Sequence, residues 1–277
     1  MEAIRTTTGP KGAYKVGKKL GGTERFNMYE CVLPDGRVGI LKIALTVEQN
    51  GLLDREAYIL QTMKDEAKPE KDEYYLKHEG EDLPKHQFYF FPDLVESFID
   101  EDQDNRRINI LDFGEFVDNL GDLVPLSHLV SREHVRVDPR TSAWIMGRLL
   151  KFLAYTHRQG ILVGNLTGEN ILINREKHYV AVFDWTMSTI NSSDISEEET
   201  GLEISRVSDQ VIYALGGGPA MGTFPESDQL VDDRYTNFLL SLSWAEEKNA
   251  MEAHGKFYQL IRTLWPTEYY PFTTINN

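Results

Sequence analysis

Residues 157–173 read HRQGILVGNLTGENILI. The stretch begins at the end of a predicted amphipathic helix, residues 139–158, and it ends in a short apolar run that predicts a strand at 171–174. A turn and a second predicted strand, 179–183, follow and lead directly to Asp184. The polar residues of this region therefore lie between short apolar elements. The apolar face of the long helix includes Trp144, Leu149, Leu150 and Leu153.

The part of the chain before this region is rich in strand patterns. A helix with apolar residues on one face is predicted from Asp54 to Met63, and a highly charged insert at about 64–86 reads as a solvated excursion. Together these patterns predict an N-terminal lobe over residues 1–114, an antiparallel five-stranded sheet with one helix. The predicted strands are 14–20, 28–33, 38–44, 88–98 and 107–113.

The remainder of the chain, residues 115–277, has mainly helical patterns. A short helix is predicted at 125–130, and residues 203–263 alternate between helix and loop. The predicted fold class is therefore α+β, with a β-rich lobe followed by a helical lobe within one domain. Active sites commonly lie in clefts between such units.

The stretch 157–173 resembles the catalytic loop of protein kinases, in which a long helix is followed by His-Arg-Asp and by an Asn five residues after the Asp. Here Val163, Gly164 and Asn165 stand at the His-Arg-Asp positions, and Asn170 stands at the position of the metal-binding Asn. The resemblance implies a two-lobed protein-kinase-like fold in which Asn170 contacts a metal ion.

Residues 181–186 resemble the Asp-Phe-Gly segment of the same family. The metal-binding Asp is kept as Asp184, while Trp185 and Thr186 replace Phe and Gly. A literal Asp-Phe-Gly occurs at 112–114, but the metal-binding Asp of the family follows the catalytic loop in the chain. We therefore interpret residues 112–114 as the connection between the lobes.

Two further positions of the family are matched in the first lobe. Lys42, in the run Val38-Gly-Ile-Leu-Lys, matches the lysine that pairs with nucleotide phosphates, and Glu56 matches the helix glutamate that pairs with it. The phosphate loop is the poorest match, because only Gly21 and Gly22 of the Gly-x-Gly-x-x-Gly pattern are present. Either a phosphate cradle or a plain β-turn is consistent with these glycines.

The resemblance covers nearly the whole chain and is closest to a group of atypical prokaryotic kinase-like proteins. In that group the long helix begins with a Trp, the catalytic loop lacks Arg-Asp, and Asp-Trp replaces Asp-Phe-Gly. The corresponding residues here are Trp144, Gly164-Asn165 and Asp184-Trp185. No Ala-Pro-Glu follows Asp184, so a platform for a peptide substrate is not expected.

The substitution at the catalytic Asp position bears on activity. Asn165 can orient a hydroxyl group but cannot accept its proton, and general acid–base groups contribute about 10²–10⁴-fold to rates. Positioning and metal electrostatics dominate phosphoryl transfer, so loss of the base predicts a slow enzyme rather than necessarily an inactive one. The resemblance implies ATP or another nucleotide with Mg²⁺ as ligands of Lys42, Asn170 and Asp184.

Three hypotheses follow. The first is a nucleotide-binding pseudokinase, or weakly active atypical kinase, that acts on a protein partner as a scaffold or switch. The second is an active Ser/Thr protein kinase or small-molecule phosphotransferase that uses ATP and Mg²⁺. The third is an interaction module without nucleotide binding, which the Gly-poor loop with Glu24 would favour, because a carboxylate opposes phosphate.

Composition narrows the class of protein. The net charge of −15 disfavours nucleic acid and anionic lipid as partners. The single cysteine, Cys31, excludes a disulfide within the chain, and its apolar surroundings predict a buried structural thiol. No run of 18 apolar residues occurs, so we expect no membrane span and a cytoplasmic protein.

Overall fold

The computed structural model of the chain divides into two compact units. The first unit contains Met1–Leu123 and Phe183–Ser188, and the second contains Val124–Val182 and Thr189–Asn277. The structure describes residues 5–77, 91–114, 117–191, 195–225, 232–265 and 270–276.

The first unit is built on a six-stranded antiparallel sheet with the strand order β1-β2-β3-β4-β6-β5. The prediction of five strands is therefore corrected to six. The missed strand is β1, whose sequence RTTTG has no apolar alternation and which is defined by its pairing with β2. The predicted strand 88–98 begins only at Asp93, and residues 88–90 lie outside the described part of the chain. The strands are β1 Arg5–Gly9, β2 Gly12–Gly22, β3 Phe26–Val32, β4 Val38–Ala44, β5 Asp93–Asp100 and β6 Arg106–Asp112.

Side chains link the two end strands of this sheet, β1 and β5. The hydroxyl of Thr7 donates to a carboxylate oxygen of Asp100, and the turn after β1 donates from Lys11 N to Glu96 Oε2 over 2.9 Å. A Cβ atom at Gly9 would overlap the carboxylate of Glu96 and the ring of Phe98, so a larger residue there would displace these side chains. An apolar cluster fills one face of the sheet. Its buried members are Tyr14, Cys31, Leu33, Leu41, Ile43, Phe98, Ile108 and Ile110.

The thiol of Cys31 is fully buried in this cluster, which confirms the sequence prediction. Burial raises the pKa of Cys31 to about 12, so the thiol is protonated at neutral pH. Cys31 therefore acts as a small apolar side chain in the core.

The helix of the first unit, α1, spans Asn50–Lys77 and is much longer than the predicted 54–63. The charged insert predicted as a solvated excursion is therefore helical as far as Lys77, and residues 78–86 lie outside the described part. Glu, Lys and Ala are good helix formers and make up most of residues 64–77, so this segment can extend an anchored helix without apolar periodicity and despite Pro69.

The second unit is mainly helical and carries three small antiparallel sheets, β11-β10-β7, β12-β9 and β13-β8. Its helices are α2 Leu126–Ser131, α3 Pro139–Arg158, α4 Glu197–Ala214, α5 Asp233–Ser243 and α6 Ala250–Leu264. Its strands are β7 Val124–Pro125, β8 Val135–Val137, β9 Ile161–Leu162, β10 Ile171–Asn174, β11 Tyr179–Val182, β12 Thr189–Ile190 and β13 Thr274–Asn276.

Helix α3 is the centre of the second unit and has the predicted bounds. It begins at a favourable N-cap, because an oxygen of Asp138 accepts from Thr141 N over 2.7 Å and Pro139 occupies the first turn. Its buried face packs against α4 and α6. The helix therefore fixes the start of the loop that follows Arg158.

Among the described residues, no helix combines the length and the apolar character needed to cross a bilayer.

Candidate functional site

Lys42 lies in the middle of β4, an internal strand of the sheet, and its side chain is fully buried. Side chains alternate along a strand, so Leu41 and Ile43 enter the apolar cluster while Lys42 points to the other face, towards α1. Its ammonium lies 2.6 Å from Glu56 Oε1 and 2.8 Å from Asp184 Oδ1. We call Lys42, Glu56 and Asp184 the buried ionic triad.

Glu56 is placed by the packing of α1 on the sheet. It shares the buried stripe of the helix with Leu53 and Leu60, three residues before it and four after it, and its exposure is 0%. Asn109 of β6, directly opposite Lys42 in the sheet, donates to Glu56 Oε2 over 3.0 Å. These bonds matter because a buried charge is costly unless it is paired and hydrogen-bonded.

Asp184 reaches the triad through the short segment Phe183–Ser188 of the first unit. Its Oδ1 accepts from Thr186 N over 3.2 Å and from Thr186 Oγ1 over 2.9 Å, in addition to Lys42. Trp185 anchors the segment, because its indole is fully buried and contacts Phe91 edge to face. The backbone N–H of Trp185 also donates to Glu56 Oε1 over 3.1 Å.

The triad holds Lys42 and Asp184 in their charged forms. Burial alone would lower the pKa of Lys42, yet the two carboxylates raise it above the usual 10.5. Burial alone would raise the pKa of Asp184, but Lys42 and the Thr186 hydroxyl hold it below the usual 3.8. With one ammonium and two carboxylates, the charged triad has a net charge of −1, which favours an additional cation.

Two aromatic rings also contact the ammonium of Lys42. The ring centroid of Phe26 lies 4.1 Å from Nζ and that of Phe183 lies 5.1 Å away, both within the range of cation–π contacts. Phe26 is the first residue of β3, and Phe183 stacks on Phe113.

The glycines at the predicted phosphate loop, Gly21 and Gly22, end β2 and pair with Met28 and Asn27. The connection to β3 is a tight turn in which Thr23 N donates to Phe26 O over 2.9 Å. Thr23 Oγ1 in turn accepts from the backbone N–H groups of Arg25 and Phe26. In this arrangement those N–H groups bond within the turn rather than pointing at an anion.

The segment resembling a catalytic loop lies in the second unit, between β9 and β10. Gly164 has φ +76°, a conformation that favours glycine, and its N–H donates to Glu203 Oε1 over 2.7 Å. Glu203, on α4, is 3% exposed, and its Oε2 lies 3.1 Å from His157 Nε2 at the end of α3. One buried carboxylate therefore ties the loop to two helices.

Asn165 and Asn170 lie together in this loop. Asn170 Nδ2 donates to Asn165 O over 2.6 Å, which identifies Oδ1 as the acceptor end of the Asn170 amide. Asn170 is 5% exposed, so its orientation is fixed by its surroundings.

The literal Asp-Phe-Gly at 112–114 ends β6 in the first unit. Asp112 bonds to Arg37 and accepts from Gly114 N over 3.0 Å, so it closes a turn beside the sheet. Asp112 and Asp184 are thus two carboxylates in separate local settings, and it is Asp184 that contacts Lys42.

The structure brings Lys42, Glu56 and Asp184 together within the first unit, and Asn165 and Asn170 together within the second. No group of three or more His, Cys, Asp or Glu side chains suited to a metal ion occurs among the described residues.

Sequence reasoning missed four residues of these sites: Phe26, Asn109, Phe183 and Glu203. Only Asn109 carries a clear signal, since it is a lone amide within the apolar run Ile108–Leu111. Nothing in the local sequence separates Glu203 from its exposed acidic neighbours on α4.

No protein-family model matches the chain, and no curated protein is significantly similar to it.

Proposed function

We propose that the protein is a nucleotide-binding domain of protein-kinase-like fold, either a pseudokinase or a weakly active phosphotransferase. The observation that supports this most is the buried ionic triad. A fully buried lysine, paired with a helix glutamate and with an aspartate from a later segment, is a costly arrangement that packing does not require. Strongly coupled charges of this kind are typical of functional sites.

The triad suits a polyphosphate that arrives with a divalent cation. Lys42 supplies the positive charge that phosphate oxygens need, and the net charge of −1 on the triad would repel a polyphosphate without a metal ion. Mg²⁺ binds through one or two carboxylates plus phosphate oxygens, so Asp184 alone is a sufficient protein carboxylate. In the proposal Mg²⁺ neutralises charge between the phosphates.

Asn170 is included in the proposal because its sequence position matches that of the metal-binding Asn. It belongs to the second unit, where its amide oxygen is the group that would meet a metal ion. Asn165 lies beside it and would orient an acceptor hydroxyl without taking its proton. We therefore favour slow phosphotransfer or none.

The experiment that tests nucleotide binding is calorimetric titration with ATP, with and without MgCl₂. We expect the natural protein to bind ATP in the presence of Mg²⁺ and Lys42→Ala to bind at least about tenfold more weakly, since a charge-assisted hydrogen bond contributes about 1.5–3 kcal/mol. Lys64→Ala is the matched control, because Lys64 is a half-exposed lysine of the first unit, paired with Asp93. A natural protein that shows no heat of binding and no thermal shift with ATP and Mg²⁺ contradicts the proposal.

The choice between an inactive and an active protein needs a second measurement. Turnover of the γ-phosphate by purified protein, abolished in Asp184→Ala, would show an active phosphotransferase. Binding without turnover would show a pseudokinase.

A further inference from the structure

The ring of Phe26 covers the one ammonium in the buried ionic triad. Lys42 is 0% exposed and Phe26 is 2% exposed, so the ammonium and the ring beside it are both closed off from solvent in this conformation. The ring centroid lies 4.1 Å from Nζ, closer than that of Phe183.

The bonds of the ammonium show what the ring replaces. A lysine ammonium has three N–H donors. Two carboxylate oxygens accept from it, Glu56 Oε1 at 2.6 Å and Asp184 Oδ1 at 2.8 Å. The other described contacts of Nζ are with the two aromatic rings. The rings therefore take the place where a third oxygen would otherwise bind.

The register of β3 and β4 places Phe26 there. Met28 lies directly opposite Lys42, and Phe26, two residues earlier on the same face, is its diagonal neighbour. The turn before Phe26 is held to the chain after β4, because Leu45 N donates to Arg25 O over 2.9 Å and Gln49 Nε2 donates to Glu24 O over 3.0 Å. Phe26 thus has a defined position beside the lysine.

We propose that Phe26 is an aromatic plug that competes with nucleotide phosphate for Lys42. This inference rests on the proposed nucleotide function and assigns that site a self-closed state. A phosphate oxygen reaches Nζ when the Phe26 side chain rotates away or the turn Thr23–Phe26 opens. The apparent affinity for nucleotide is then the affinity of the open form multiplied by the fraction of molecules in which the plug is open.

The first test compares ATP affinity, with Mg²⁺ present, among the natural protein, Phe26→Ala and Phe26→Leu. A desolvated cation–π contact of about 2 kcal/mol corresponds to a factor of about 30, so we expect Phe26→Ala to bind ATP about 10–30-fold more tightly. Phe26→Leu keeps most of the apolar volume without the π face, and we expect a smaller gain in the same direction. Phe26→Leu also keeps the test valid if Phe26→Ala fails to fold.

The control is Phe98→Leu, a buried phenylalanine of the apolar cluster on the other face of the sheet. We expect its ATP affinity to equal that of the natural protein. Equal ATP affinities in the natural protein and both Phe26 variants would overturn the plug and leave nucleotide binding intact.

The second test does not use a nucleotide. Acetylation of Lys42 by N-hydroxysuccinimidyl acetate, followed by mass spectrometry, reports access to Nζ, with Lys64 as the internal reference. We expect faster Lys42 acetylation in both Phe26 variants and an unchanged rate in Phe98→Leu. If no variant binds ATP, the proposed nucleotide function fails and acetylation alone decides. Faster Lys42 labelling would then support the plug as a cover over the lysine, and equal rates would overturn it.

Discussion

Lys42 is the residue on which the chemistry of the first unit depends. Moving an ammonium out of water costs several kcal/mol, and two carboxylates with further hydrogen bonds offset that cost here. Removing one member of the triad would leave a buried charge uncompensated, so each charged group stabilises the others.

Asp184 gives the triad a pH dependence that can be measured. Its folded pKa is below 3.8, so the stability it contributes is fully present above about pH 4 and is lost as pH falls through the folded pKa. We expect Asp184→Asn to lower the free energy of unfolding at pH 7, and this deficit to shrink below pH 3.8 as the natural carboxyl group becomes protonated. Urea unfolding between pH 7 and pH 2.5 measures both.

Asp54→Asn is the matched control for this experiment. Asp54 is a largely exposed aspartate of α1 paired with Arg107, and exposed ion pairs contribute about 0–1 kcal/mol. A deficit in Asp184→Asn that stays constant down to pH 2.5 would contradict the charge coupling between Asp184 and Lys42.

Asn165 allows a gain-of-function prediction. If the proposed function holds and the missing base limits turnover, Asn165→Asp should raise γ-phosphate transfer by about 10²–10⁴-fold, the usual contribution of a general base. Asn165→Ala separates the base from the orienting role and should not show the gain. If Asn165→Asp binds ATP and Mg²⁺ but turns over no faster than the natural protein, the missing base is not what limits turnover.

Among the secondary-structure elements, helix α4 contacts the loop around Gly164 through the side chain of Glu203. Glu203 accepts from Gly164 N and lies beside His157, and its own side chain is buried. A hydrogen bond to a charged group contributes about 1.5–3 kcal/mol, so we expect Glu203→Ala to speed hydrogen exchange at the Gly164 amide by about 10–100-fold.

The comparison variant is Glu197→Ala, at the exposed start of the same helix. It should leave exchange at Gly164 unchanged. Exchange in Glu203→Ala that matches the natural protein would mean that the loop is held by other contacts.

The helices and strands also show how much of the fold could be predicted from the sequence. Helix α3 and strands β4 and β10 have the predicted bounds, because their apolar patterns alone determine which face is buried. Strand β1 and the second half of α1 could not be predicted in this way. Strand β1 depends on a partner strand and the end of α1 on helix propensity, and neither leaves an apolar period in the sequence.

The residues of the candidate site also differ in whether the sequence could predict them. The sequence named Lys42, Glu56 and Asp184, which the structure brings into one triad. It did not indicate Phe26, whose role follows from the register between β3 and β4, a property of pairing that a single sequence does not display.

For the whole molecule, the first unit is discontinuous. Its residues come from Met1–Leu123 and from Phe183–Ser188, and the second piece supplies both Asp184 and the buried Trp185. A fragment ending at Leu123 therefore lacks a large core side chain, whose loss typically costs about 3–5 kcal/mol. We expect this fragment to unfold at a lower urea concentration than the same fragment with residues 183–188 appended through a Gly/Ser linker.

Circular dichroism during urea titration measures the two midpoints. Appending a segment with Trp185 replaced by Ser provides the control for the added length. Coinciding midpoints for all three fragments would show that residues 183–188 add no stability to the first unit.

The contacts between β1 and β5 have a further consequence. An unprotected outer strand offers its peptide groups to any extended chain, which is how sheets aggregate and how some domains capture peptides. Here Thr7 on β1 bonds to Asp100 on β5, and Lys11 in the turn after β1 bonds to Val95 and Glu96 on β5, so these bonds hold the two outer strands close together. We therefore expect β1 and β5 to be poor sites for the addition of a further strand, from a peptide or from a second copy of the sheet.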